Sequence, residues 1–413
     1  MESPSRPLRI LFVTVFLDLL GFGLILPQLP YYAKACGADG TVVGAIGASY
    51  SLLQFLFSPI WGRISDSIGR RPIIVMGLLG SGVSFILFGA VFHVHRWTGL
   101  GLIPIMFISR SLAGMFNANI STAQAYVADV LPPEKRAGGM GMIGAAFGLG
   151  FVLGPAFSAG LGVLGGPALP FYVAGAVGMA TAVAAFFWLP ESHVPGAPGQ
   201  GPRRRWLSLS VIPSGALLVT IALFFLSTFS MGIMENTLGL FVEAEQRFSY
   251  TPHQFALLLV FVGVVIVITQ GGLVRRLSPR FGEPRMILAG AIFMVVGLGG
   301  IGVARGSLEL YVLMALVGFG NGILNPSLST TTSLLAPHQY RGEVMGMGQS
   351  MSSLGRILGP LLGGAVYEHV GHASAYYLSG ATMIVASALA VTLLGIERTA
   401  EAGSKLRGPD APE

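Results

Sequence analysis

The sequence predicts an all-α membrane protein of twelve transmembrane helices, arranged as two pseudo-symmetric six-helix bundles. Three observations predict it. Of the 413 residues, 53% are apolar and only 10% charged, against about 25% charged in a typical soluble domain. Twelve apolar stretches are each long enough to cross about 30 Å of hydrocarbon, which takes about 20 helical residues. The second half of the chain also repeats the first at a fixed offset. This composition excludes a disordered chain, a fibre and an ordinary soluble enzyme. The single Cys36 excludes an intrachain disulfide framework and any multi-cysteine metal site. The 59 Gly and 25 Pro suit closely packed membrane helices.

The stretches centre near residues 20, 51, 83, 116, 150 and 179, then 225, 263, 295, 320, 354 and 386. Lipid offers no partner to a free peptide group, so continuous apolar runs of this length are helices. A transmembrane barrel would instead show alternating segments of about ten residues. The first stretch is interrupted by Pro27 and Pro30 and lacks a small-residue cleavage site, so it reads as a retained helix. On one side of the twelve spans lie 18 of the 24 Lys and Arg. Lys34, Arg96, Arg247 and Arg305 lie on the other, and Arg110 and Arg356 fall inside spans. That bias places both termini in the cytoplasm, and an even number of spans likewise puts both ends on one side. The location this implies is the plasma membrane, the inner membrane in a bacterium, and the expected state is a monomer. The basic segments are short and abut helix ends, so no nucleic-acid partner is expected.

The Pro-, Gly- and Arg-rich stretch 191–210 reads as a cytoplasmic linker. It divides an N-terminal bundle, 1–190, from a C-terminal bundle, 211–398, followed by a tail, 399–413. Pro132, Arg136, Met140, Gly141 and Met142 recur as Pro337, Arg341, Met345, Gly346 and Met347. Gly150, Gly154 and Pro155 recur as Gly355, Gly359 and Pro360, all at an offset of 205. Two such repeats about a central site are the plan of a secondary transporter.

Three motifs now make the chain resemble the major facilitator superfamily over nearly its whole length. The loop after span two, with Gly62, Asp66, Gly69, Arg70, Arg71 and Pro72, is similar to the superfamily's signature loop, with Ser67 where a basic residue is common. Arg110-x-x-x-Gly114 in span four resembles the motif associated with proton coupling. Gly141, Gly150, Gly154 and Pro155 in span five resemble the antiporter motif of the 12-span drug:proton exporters, with Ser158 and Ala159 in place of its closing glycines. Asp18, Gly21, Pro27 and Pro30, with Tyr50 and Gln54, are most similar to tetracycline-type efflux proteins, although Ser84 stands where those carry an Asp in span three. The resemblance implies the major facilitator fold, with spans 1, 4, 7 and 10 lining a central cavity.

Four charges lie within spans: Asp18, Arg110, Glu235 and Arg356. Charge in lipid is costly and needs a reason. Either these groups pair to fix packing, or the acids carry protons and the bases tune them. At about 1.5 Å per residue, Asp18 lies about 13 Å from the cytoplasmic edge, Arg110 about 28 Å and Glu235 about 33 Å. Arg110 and Glu235 are therefore expected to meet, while Asp18 is not level with Arg110. Arg110, Gly114, Asn117, Ser121 and Gln124 follow spacings of 4, 3, 4 and 3, one face of a helix. Gln349, Ser353 and Arg356 form a similar line in span eleven, and Asn321 and Asn325 a looser one in span ten. The polar cavity anchors expected from these lines and their neighbours are Gln54, Asn117, Ser121, Gln124, Gln270, Asn321, Asn325 and Gln349. Interhelical hydrogen bonding is the plainer use for any one of them.

At the cytoplasmic end, Asp66, Arg70, Arg71 and Asp129 are expected to form a latch, with Asp66 also facing the start of span eleven near Gly342. The paired glycines and prolines of spans five and eleven are expected as hinges and seams between the halves. His93, His95, His369 and His372 lack a convincing third ligand, and no ATP-binding or catalytic motif occurs. No cofactor is expected. The function so read is export of a hydrophobic or amphipathic small molecule against protons, by alternating access in the lipid bilayer. The alternatives are a facilitator or symporter for a sugar or other polar solute, and a non-transporting receptor or accessory protein.

Overall fold

The computed structural model describes residues 5–25, 27–118, 120–131, 133–192, 215–336 and 341–406. Among these it is all helical. The helices are α1 (Ser5–Ile25), α2 (Leu29–Ala35), α3 (Gly40–Ile68), α4 (Arg70–Gly89), α5 (Val91–Thr98), α6 (Leu102–Asn117), α7 (Ile120–Val130), α8 (Pro133–Gly165) and α9 (Leu169–Trp188). The second half continues with α10 (Gly215–Ala244), α11 (Pro252–Ile268), a π-helical turn at Thr269–Val274, α12 (Arg275–Phe281), α13 (Glu283–Ile301), α14 (Ser307–Leu335), α15 (Arg341–His369) and α16 (Ser374–Leu406).

Among the described residues, ten helices are long and apolar enough to cross a membrane. They coincide with ten of the twelve expected spans. The other two show why a composition rule falls short. Span four is carried by α6 and α7, of 16 and 11 residues, because Ala118 lies in a turn after α6. Span eleven is α15, a helix of 29 residues whose hydropathy is diluted by Gln349, Ser350, Ser352, Ser353 and Arg356.

The helices group into two compact units. One comprises Met1–Arg203, Glu235–Gly263 and Pro360–Val370, the other Arg204–Met234, Val264–Gly359 and Gly371–Glu413. In the first unit α1 packs along α8 with almost no side chain between them. A Cβ on Gly154 would fall on the backbone of Gly23, and one on Gly150 on Leu19. In the second unit α15 packs on α10 at the equivalent glycines. There Gly355 meets Thr228 and the backbone of Phe225 and Phe229, and Gly359 the Phe229 carbonyl. The expectation that these glycines form seams between the halves is therefore corrected. They join the first and fifth spans inside each repeat, because only glycine permits so close an approach of two backbones. Where α8 does reach a later helix in its unit, it uses Val152, packed at Gly263, and the Ala159 carbonyl, 3.2 Å from His253 Nδ1.

The first unit has a tight seam at the Gly40 end of α3. Gly44 packs on the Pro360 carbonyl and Gly364 on that of Gly40. The Gly40 amide donates to Glu368 at 2.9 Å, beside the cap that Asp39 gives the Val42 amide at 2.7 Å. Lys34 and Glu243 pair at 3.2 Å nearby. The Arg70 cluster described below lies at the other end of α3, about 40 Å away by helical rise. In the second unit α13 and α14 approach through Gly290 and Gly320, and Ser230 and Ser379 exchange hydrogen bonds at 3.2 and 3.3 Å.

Candidate functional site

The first unit buries a small polar constellation drawn from α1, α3 and α6. Asp18 is 5% exposed, Arg110 3% and Asn117 0%. The Asn117 Nδ2 donates to Asp18 Oδ1 at 3.5 Å. Gln54 Nε2 reaches both the Asn117 carbonyl and the Tyr50 hydroxyl at 3.5 Å. The Arg110 guanidinium lies over the Tyr50 ring, 4.6 Å from its centroid, a cation–π arrangement that gains strength away from water. Gly114 makes room for this, since a Cβ there would fall on the Tyr50 backbone. Arg110 and Asn117 are two helical turns apart, about 10 Å along the axis. Asp18 thus sits level with Asn117.

The turn at Ala118 frees carbonyls that a continuous helix would satisfy. Side chains take them up. Trp61 Nε1 donates to the Met115 carbonyl at 2.7 Å, Gln54 to that of Asn117, and Ser121 Oγ to that of Ala118 at 3.1 Å. The polar stripe of span four consequently does not keep one environment. It is buried through Asn117, half-buried at Ser121 and exposed at Gln124.

The remaining expected residues fall elsewhere. Glu235 is half-buried on α10, and its neighbour Asn236 packs against Gly47 of α3. Arg356 Nη2 donates to Ser353 Oγ at 3.1 Å, one turn away on α15. Asn325 Nδ2 donates to the Asn321 side-chain oxygen on α14. Gln270 and Gln349 are exposed. Gly141 lies in α8, and Gly342 in α15, outside the residues whose surroundings are described.

A second cluster closes the far end of α3. Arg70 is 1% exposed. Its guanidinium pairs with Asp66 at 2.6 Å and with Asp129 at 2.9 Å, and donates to Ser65 Oγ at 2.6 Å. Asp129 comes from the end of α7. Glu191, just past α9, accepts from the Arg70 amide at 2.8 Å and the Arg71 amide at 3.1 Å, capping α4. Gly69 turns the chain at φ +104°, where its missing Cβ leaves space for that carboxylate. The Arg71 side chain stacks over Phe186 at 5.0 Å. Gly62 is half-buried with open space where a Cβ would stand, so its position carries no steric demand.

Sequence reasoning overlooked two of these parts. Glu191 reads from the sequence as the first residue of a linker, and its role as cap of α4 appears only when the fold sets the end of α9 beside Arg70, 121 residues earlier. Trp61 carries no signal in the sequence either, because the carbonyl it serves is freed only by the turn in span four. Among the described residues no cluster of three or more His, Cys, Asp or Glu could hold a metal ion. His369 lies 3.4 Å from the Thr41 hydroxyl.

A family model described as Major Facilitator Superfamily matches residues 11–357 and again 224–411. The chain is 30% identical over 410 residues to Multidrug resistance protein 2 of Bacillus subtilis (strain 168), covering 96% of each. It is 28% identical over 395 residues to Tetracycline resistance protein, class C, of Escherichia coli, covering 94% of this chain and 96% of that one. The crystal structure of the human organic anion transporter MFSD10 (TETRAN) aligns over 94% of this chain and 100% of its own, with a TM-score of 0.67 and 26% identity.

Proposed function

Because this chain belongs to the major facilitator superfamily, and is thus a multi-pass membrane transporter of small molecules rather than an enzyme, we propose that it exports a hydrophobic or amphipathic compound in exchange for protons. The observation that carries the reading is Asp18. Its carboxylate is buried, has one neutral amide as hydrogen-bond partner, and lies in no ion pair among the described residues. A lone charge is costly to bury in a membrane protein, and a proton removes that charge. Proton arrival and departure would then change which arrangement of the two repeats is favoured. The membrane potential supplies about 2.3 kcal/mol per charge per 100 mV. Relatives named for multidrug and tetracycline resistance support the export direction.

In this mechanism Glu235 is the second acid, and Arg110 and Arg356 tune the pair. Gln54, Ser121, Gln124, Gln270, Asn321, Asn325 and Gln349 anchor the cargo. The cluster of Asp66, Arg70, Arg71 and Asp129 latches the cytoplasmic end. The protein works as a monomer in a bacterial inner membrane with both termini inside.

The test is transport in proteoliposomes, with the fluorescent lipophilic cation ethidium as probe. A proton gradient should drive ethidium against its own gradient, and a protonophore should stop it. Asp18→Asn or Glu235→Gln should abolish the pH dependence. Undiminished pH-driven transport by both variants would overturn the assignment of the acids.

A further inference from the structure

We propose that Asn117 is the positioning residue of the proton site: its amide holds Asp18 in both protonation states, donating through Nδ2 to the carboxylate and accepting through Oδ1 from the carboxylic acid. The proposal rests on Asp18 as proton carrier. It treats Asn117 as part of the coupling machinery instead of the cargo cavity.

Three observations carry it. Asn117 is 0% exposed, so its amide does not face a water-filled space. Its Nδ2 already points at Asp18. Its Oδ1 is buried and has no hydrogen-bond donor among the described residues. A buried carbonyl oxygen left in that condition is disfavoured unless some other state supplies a donor. An ionised carboxylate only accepts, whereas a protonated one also donates. The missing donor is therefore the O–H that Asp18 gains when it takes a proton. A half-turn of the terminal torsion exchanges Oδ1 for Nδ2, and such torsions are broad for amides.

The backbone at this residue is held while the side chain turns. Asn117 closes α6, and its carbonyl is taken by Gln54 while that of Met115 is taken by Trp61, both on α3. The titratable or charged groups on the elements around α1 are Tyr50, Arg63 and Asp66 on α3, Arg70 and Arg71 on α4, Arg110 on α6, Tyr126 and Asp129 on α7, Tyr172 on α9, and Glu134, Lys135 and Arg136 at the start of α8. Arg6 and Arg9 lie on α1 itself. Arg110 is two turns away against Tyr50, and Asp129 is engaged with Arg70. Among the described residues, Asn117 is the one whose side chain hydrogen-bonds Asp18.

The test is infrared difference spectroscopy of the full chain in proteoliposomes, following the carboxyl C=O band during a pH titration. The band removed by Asp18→Asn is that of Asp18. The bond to the ionised carboxylate is the stronger of the two, so Asn117→Leu and Asn117→Ala should each raise the midpoint by about one pH unit, a tenfold change in proton affinity, and shift the band's frequency. Asn117→Ser, whose hydroxyl both donates and accepts, should restore the midpoint most of the way. The alanine variant keeps the test intact if leucine does not fold. A midpoint raised by less than about half a unit in both would overturn the role of Asn117. If wild type has no titrating band that Asp18→Asn removes, Asp18 is not the carrier, and the proposal falls for that separate reason.

Discussion

Two of the buried charges in the first unit, Arg70 and Asp18, have opposite surroundings. Arg70 is enclosed by the Asp66 and Asp129 carboxylates and the Ser65 hydroxyl, all within 2.9 Å. Among the described residues Asp18 has a single amide, at 3.5 Å. Both residues are at least 95% buried. The difference lies in what each could lose. Arg70 is engaged by two carboxylates and a hydroxyl, which makes it a fixed joint between α3, α4 and α7. Asp18 is under-supplied, and the simplest change that settles it is a proton. Burial alone therefore does not mark a working charge in a membrane protein, and the number and sign of its partners does.

Substitutions can break this contrast. The largest effect is expected from Arg70→Met, which strands two carboxylates. Removing one member of a buried ion pair costs about 3–5 kcal/mol, so detergent-solubilised protein should show a sharply lower thermal midpoint and poor yield. Asp18→Asn should do the reverse. It removes a charge without stranding a partner, so pH-driven ethidium transport falls to the leak rate while the thermal midpoint stays at or above that of wild type. Should Asp18→Asn unfold the protein as Arg70→Met does, the contrast collapses and Asp18 is structural. Arg70→Lys sharpens the point, because lysine keeps the charge but lacks the fork that serves two carboxylates. It should lose about 1–3 kcal/mol of stability, less than methionine. Glu191→Gln is expected to have the smallest effect, about 0.5–2 kcal/mol from a weakened cap on α4, read from thermal unfolding with pH-driven transport retained.

What the sequence reveals of this protein follows from which interactions are local. Helix positions are legible because an apolar run long enough to cross a bilayer has few other uses. The Asp66–Arg70 pair is legible as an i, i+4 contact at a motif, and Asp129 follows from its place at the same end of a span. The turn at Ala118 is not legible. The stretch centred near residue 116 reads as one helix, and the interruption is served by the indole of Trp61 and the amide of Gln54, more than fifty residues upstream. The glycine pairs at 150 and 154 and at 355 and 359 announce close packing but not the partner. That partner is α1 in one repeat and α10 in the other, and only the three-dimensional arrangement selects it.

The seam at Gly40 bears on how the chain is made. The Gly40 amide is claimed by Glu368, a residue 328 positions later. The second span therefore leaves the ribosome with that donor unmet, and its first turn is completed only when the penultimate span arrives. The contact that ties down this end of α3 is therefore among the last that synthesis makes available.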